Sequence, residues 1–145
     1  MNEAKRIRPV LVSACLAGEK CRYDGTAAAH PVVQELLKRG LAVAVCPEAL
    51  GGLPTPREPM ELLGGRVVGK SGTDHTKAVA SGARMACLVA VQKGCTRAIL
   101  KARSPSCGVG KVYDGTFSGK LVPGNGLLAA LLKDEGVEVL TELDL

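Results

Sequence analysis

Six cysteines, at positions 15, 21, 46, 87, 95 and 107, stand against only two histidines, His30 and His75, in a chain of 145 residues. A thiol-rich, histidine-poor set can pack as small hydrophobes, exchange disulfides, hold zinc or carry an iron–sulfur cluster. Structural zinc usually wants four ligands built on Cys-x-x-Cys knuckles, and no such pair occurs. Catalytic zinc commonly recruits histidine. Other reactive groups crowd two of the thiols. Glu48 lies two residues past Cys46, and Ser104 lies three residues before Cys107. Glu48 has the chemistry of a general base for water; its plainer role is a surface acid or a cap for the following segment. Ser104 can orient a substrate or donate a hydrogen bond, or simply cap its loop. Lys101 and Arg103 can stabilise a developing anion or lower a nearby thiol pKa.

These residues need elements to position them. Arg8–Ala14 is a β-branched apolar run and predicts a buried strand leading into the loop that holds Cys15 and Cys21. Pro31 suits the first position of a helix over 31–39, with Gly40 as its stop. Leu41–Cys46 predicts a second strand, ended by Pro47. The stretch Gly51–Pro59 is punctuated too heavily for regular structure. Met60–Leu63 and Arg66–Gly69, joined by Gly64 and Gly65, predict a hairpin. Thr73 or Asp74 is the expected cap of the longest helix, which runs to Lys93 and stops at Gly94. Its small face (Ala78, Gly82, Ala83, Ala86, Ala90) suits close packing on a sheet. Thr96–Ala102 predicts a third strand, and Lys111–Phe117 a hairpin around the turn Asp114-Gly115. Pro123 or Asn125 opens a last helix, and Val137–Thr141 is a last strand. Tyr-Asp-Gly recurs at 23–25 and 113–115, predicting two similar turns.

Strands alternating with helices imply an α/β fold: a parallel sheet covered on both faces, with an order such as 2-1-3-4 among the four apolar strands. The chain reads as a single domain over 1–145. In an open parallel sheet the carboxyl ends of the strands share one edge, where ligands bind. Cys15, Cys46 and Cys107 each follow a predicted strand, so all three converge there. Cys87 and Cys95 lie within and just after the long helix and are expected to be packing residues. Cys21 shares the first loop and is a fourth ligand, a supporting thiol or a bystander. Thiols without histidine favour an iron–sulfur cluster, and a cubane on three cysteines leaves one iron open as a Lewis acid.

Composition excludes some alternatives. Rings make up 2% of the chain (Tyr23, Tyr113 and Phe117), too few for a base-stacking platform that binds single strands. The 46% apolar content supports a core without disulfides, and 23% charged residues argue against a membrane protein. The net charge of +5 is spread along the chain and fits a solvated surface or an anionic partner. Val12-Ser-Ala-Cys15 imitates a lipoprotein cleavage box, but the apolar run before it is far shorter than the roughly 7–15 residues an export signal needs. A reducing cytoplasm is therefore expected, and no disulfide framework. No phosphate-loop or dinucleotide fingerprint occurs.

Five blocks resemble one known family: Ser13-Ala-Cys-Leu-Ala-Gly18, Cys21-Arg-Tyr-Asp-Gly25, Val45-Cys-Pro-Glu-Ala-Leu-Gly-Gly-Leu-Pro-Thr-Pro-Arg-Glu58, Leu100-Lys-Ala-Arg-Ser-Pro-Ser-Cys-Gly108 and Tyr113-Asp-Gly-Thr-Phe-Ser-Gly119. They are similar, in the same order and over nearly the whole chain, to the DUF523 family of thiouracil desulfidases. Asp74-x-Thr76 and Gly82-Ala83 are similar too, although His75 stands where Val is expected. The resemblance implies a Rossmann-like three-layer α/β sandwich and a [4Fe-4S] cluster on Cys15, Cys46 and Cys107. It implies non-redox hydrolysis of 2-thiouracil to uracil and hydrosulfide, with Glu48 assisting water and Ser104 assisting substrate or proton handling. A related thiolated nucleobase, free or within a tRNA, is a further substrate option. Two other classes stand beside the enzyme: a non-catalytic iron–sulfur or zinc-binding sensor or storage protein, and a thiol redox protein pairing Cys15 with Cys21.

Overall fold

The computed structural model describes residues 8–145; the basic stretch that holds Lys5 and Arg6 lies outside the described residues. Its strands are β1 (Val10–Ser13), β2 (Ala42–Val45), β3 (Met60–Leu63), β4 (Arg66–Gly69), β5 (Arg97–Leu100), β6 (Lys111–Tyr113), β7 (Leu121–Pro123) and β8 (Glu138–Thr141). Its α-helices are α1 (Pro31–Lys38), α2 (Pro47–Leu50), α3 (Thr76–Lys93) and α4 (Leu127–Asp134). The main sheet is parallel throughout, in the order β2-β1-β5-β8. This coincides with 2-1-3-4, one of the orders open to four apolar strands with right-handed crossovers, and the fold is the three-layer α/β sandwich with small antiparallel hairpins.

Alternation along the strands divides the core into two halves. Val12 and Ile99 face α1 and pack with Val33. Leu11, Ala98 and Leu100 face the other way, toward Ala83, Ala86 and Ala90 of α3 and Leu128 and Leu132 of α4. Cys87 and Cys95 are buried in that second half, as packing residues. With so few rings, the layers close through small side chains. The face of α3 is split between two neighbours: Ala83, Ala86 and Ala90 meet the sheet side, while Ala78 and Gly82 press against α2. A Cβ placed on Gly82 would lie 1.6 Å from the Pro47 carbonyl oxygen, and one on Gly51 would lie 2.0 Å from the Ala78 oxygen.

Several boundaries differ from the sequence expectation. α2 was not expected; Pro47 at its first position starts one helical turn before the glycines begin. The boundary residue of α3 is His75, which makes no side-chain cap bond; the expected Asp74 supplies the capping oxygen from one residue further out, with Oδ1 on the Thr76 N–H (2.8 Å) and Oδ2 on Arg66. α4 starts after Gly126, since Pro123 is absorbed into β7 and Asn125 Oδ1 accepts from the Gly110 N–H. The second hairpin is wider than a tight Asp-Gly turn. Asp114 Oδ1 accepts the Thr116 N–H (2.9 Å), and Glu61 Oε1 accepts the N–H groups of Gly115 and Phe117, so the chain bulges onto β3 before β7 returns. Asp24 and Thr26 repeat the same local arrangement, so the two Tyr-Asp-Gly segments are indeed similar turns. His30 Nδ1 accepts the Val32 N–H and caps α1, and His75 Nε2 donates to Glu58 (2.7 Å).

Two predictions follow from this packing. Gly82→Ala forces a methyl into the Pro47 carbonyl, so it should destabilise by about 1–3 kcal/mol, seen as a lower urea midpoint at unchanged slope. The His75 hydrogen bond, with two more from Ser71, holds the Glu58 carboxyl down at about 2, from an ordinary 4.5. That stabilisation is complete above pH 4.5 and drains away as pH falls toward 2. The stability gap between wild type and Glu58→Gln should therefore close across that window, and a gap that stays constant would refute the assignment.

Candidate functional site

Ser13 pairs with Val45, and Val12 with Ile99, so β1, β2 and β5 end together on one edge. From that edge the chain delivers its thiols. Cys15 sits in a 3-10 turn, Ala14–Ala17, closed by Gly18 at a left-handed φ of 106°. Cys46 directly follows β2, and Cys107 lies in the loop between β5 and β6. All three line one cavity of about 320 Å³, together with Glu48 and Ser104. The five residues picked from the sequence are thus brought together. Cys21, Lys101 and Arg103 reach the same cavity, and Tyr23 and Tyr113 line it from the two matching turns. His30 and His75 do not line it.

The thiols form a connected group. Cys15 and Cys107 are buried, and Cys21 and Cys46 are half-buried. Contact with Cys15, aided by burial, pushes the Cys21 thiol up to about 11. Contact with Cys21 and burial push Cys46 well above the ordinary thiol range. Burial pushes Cys107 up to about 11, opposed by hydrogen bonds from the Ser13 and Ser106 hydroxyls. The Ser106 hydroxyl stands 3.7 Å from the Cys107 sulfur. Among the described residues, no three His, Cys, Asp or Glu side chains are grouped to hold a single metal ion. A four-iron cluster spreads its thiolates over separate irons, so its ligands need not converge on one point. The thiols that line the cavity, Cys15, Cys21, Cys46 and Cys107, are a donor set whose chemistry suits an iron–sulfur cluster.

Beside the thiols lies a buried polar chain. Glu48, the second residue of α2, uses both carboxylate oxygens. Oε1 accepts from Arg57 Nε (2.9 Å), and Oε2 accepts from the Ser106 hydroxyl (2.9 Å). Ser104 Oγ lies 3.3 Å from Ser106 Oγ and accepts the Cys107 N–H at 2.7 Å. Ser104 thus caps its loop and reaches the cavity at once. The Arg57 side chain is 6% exposed and that of Glu48 12%. Removing one partner of so desolvated a pair strands the other charge, at a cost of about 3–5 kcal/mol. Lys101 is committed elsewhere: its Nζ pairs with Glu142 (2.8 Å) and its N–H donates to Ser13 Oγ. Arg103 adopts a φ of 71°, rare for a side-chain-bearing residue. The sequence alone did not single out Arg57, Ser106 or Ser13 as site residues. The only signal was position: each lies within or beside a block that also carries a thiol or Glu48.

Comparison with known proteins follows the same lines. Residues 10–144 match the family model described as 2-thiouracil desulfurase. A Bacillus subtilis (strain 168) relative, the uncharacterized protein YbbK, is 44% identical over 94% of this chain and 97% of its own. A solved structure described as the [4Fe-4S]-dependent thiouracil desulfidase TudS superposes with a TM-score of 0.90 at 42% identity, covering 95% of this chain and 93% of that one. Among the described residues, no helix is long and apolar enough to cross a membrane.

The raised thiols give a chemical test. Alkylation of Cys21 in the metal-free protein should keep rising about tenfold per pH unit through pH 9 to 10, since only the thiolate reacts. A plateau near pH 8.5, the behaviour of a free cysteine, would contradict the thiol contacts.

Proposed function

Because the chain belongs to the 2-thiouracil desulfurase family, we propose that it is a [4Fe-4S]-dependent desulfidase that hydrolyses 2-thiouracil to uracil and hydrosulfide. The observation that carries this assignment is the convergence of Cys15, Cys46 and Cys107 with Glu48 and Ser104 on one cavity at the strand ends. Cys15, Cys46 and Cys107 would hold the cluster. When bound, it supplies an open iron as a Lewis acid for a thiocarbonyl sulfur.

The remaining chemistry falls to side chains. Glu48 takes a proton from water as the water oxygen bonds to the ring carbon and the carbon–sulfur bond breaks. Its two oxygens are aimed by Arg57 and Ser106, which leaves the carboxylate no freedom to turn away. Ser104 accepts the Cys107 N–H through its oxygen; its own hydrogen faces Ser106 Oγ (3.3 Å), because the Ser106 hydrogen goes to Glu48, and must turn from there to donate to the substrate or the departing sulfur. The sulfur leaves as hydrosulfide, and no electron is gained or lost. Tyr23 and Tyr113 supply apolar walls for a planar base. The cavity volume is near the lower end for small-molecule sites.

Anaerobic purification with iron and sulfide reconstitution should give a coloured protein that turns over 2-thiouracil and releases sulfide in equal amount. Colourless protein with stoichiometric zinc would overturn the assignment. Glu48→Ala should retain iron and sulfide but lose about 10²–10⁴ in kcat. A sensor or storage protein would be indifferent to that substitution.

A further inference from the structure

We propose that Arg57 is the positioning residue of the site, a single guanidinium that locks the Glu48 carboxylate and the Cys21–Tyr23 loop into one register. The inference rests on Glu48 acting as proposed above and goes beyond it, to what fixes Glu48 relative to the other wall of the cavity.

The geometry is specific to arginine. Nε donates to Glu48 Oε1 at 2.9 Å, while Nη2 donates to the Cys21 carbonyl at 2.8 Å. Nη1 donates to the Pro54 carbonyl (3.2 Å) and to Thr55 Oγ1 (3.0 Å), which anchors the group from its own side. The Arg57 N–H adds a fifth link, 2.7 Å from the Tyr23 carbonyl oxygen. Glu48 belongs to α2, after β2; Cys21 and Tyr23 belong to the loop after β1. The planar fork therefore spans two elements and does so at 6% exposure. Cys21 in turn touches Cys15 and Cys46. The Cys46 thiol shares the Cys21 carbonyl with Arg57, at 3.9 Å. A lysine could keep the charge beside Glu48, but a point donor cannot hold Glu48 and the Cys21 carbonyl in two fixed directions.

The test uses the reconstituted protein and its metal-free form. Arg57→Lys should load iron and sulfide as wild type does. Its kcat per cluster should fall at least tenfold while KM for 2-thiouracil moves less than threefold. In the metal-free form, Cys21 alkylation, followed by peptide mass, should speed up at least fivefold as the loop comes free. In Arg57→Ala, added guanidinium should restore part of kcat where sodium at equal ionic strength does not; if that variant does not fold, Arg57→Lys decides alone. Wild-type kcat or wild-type alkylation in Arg57→Lys overturns the proposal. Failure of Arg57→Lys to load also overturns it, because Arg57 would then serve assembly and not Glu48. If wild-type protein loads but turns over no 2-thiouracil, the functional assignment fails, and the alkylation rate still decides whether Arg57 holds the loop.

Discussion

In a parallel ladder, Ser13 of β1 stands beside Val45 of β2, and Val12 beside Ile99 of β5. This backbone pairing is what the site depends on. It brings three chain exits to one edge, and each exit is followed within a few residues by a thiol. Slipping either neighbour by one residue would carry its side chains to the opposite face and move its exit along the edge. The alternation that buries Leu11 on one side and Val12 on the other resists that slip from both layers. The energy that fixes the cysteines is therefore mostly apolar burial at a distance from them.

Steric and electrostatic constraints then refine what the ladder sets up. α2 is a single turn, too short to hold its place by its own hydrogen bonds. It is held by the glycine-to-backbone approach of Gly82 and Gly51 along α3. That contact sets the depth of Glu48, and Arg57 and Ser106 set its direction. Among the described residues, no buried side-chain nitrogen or oxygen lacks a hydrogen-bond partner, so this polar group is fully satisfied although it lies beside the apolar core. A satisfied network of this kind is stiff, because any rotation breaks a bond that water cannot replace.

Much of this was legible beforehand, because sheet topology and strand ends follow from apolar periodicity. The sheet order, the β3–β4 hairpin and the grouping of Cys15, Cys46, Cys107, Glu48 and Ser104 were all within reach of that logic. Among the misses, the start of α3 and the wide β6–β7 loop are decided by where single polar side chains spend their hydrogen bonds, and α2 by the close backbone approach of Gly82 and Gly51. Asp74 caps the Thr76 N–H from one residue outside the helix boundary, with its other oxygen held by Arg66 of β4. Asp114 could have made a tight turn, but Glu61 on a neighbouring hairpin draws the chain away. Arg57 was hidden for the same reason. Its partners come from three separate segments, and nothing local in the sequence marks it.

The wide separation of the three thiols in sequence bears on how the protein matures. A zinc knuckle can grip its ion from a short segment before much else has formed. Here Cys15, Cys46 and Cys107 come from three loops that meet only after β1 has acquired both neighbours, and β5 comes late in the chain. The closure entropy of those long loops is met by the folding of the sheet. A site assembled from segments so far apart is complete only once β5 has joined β1.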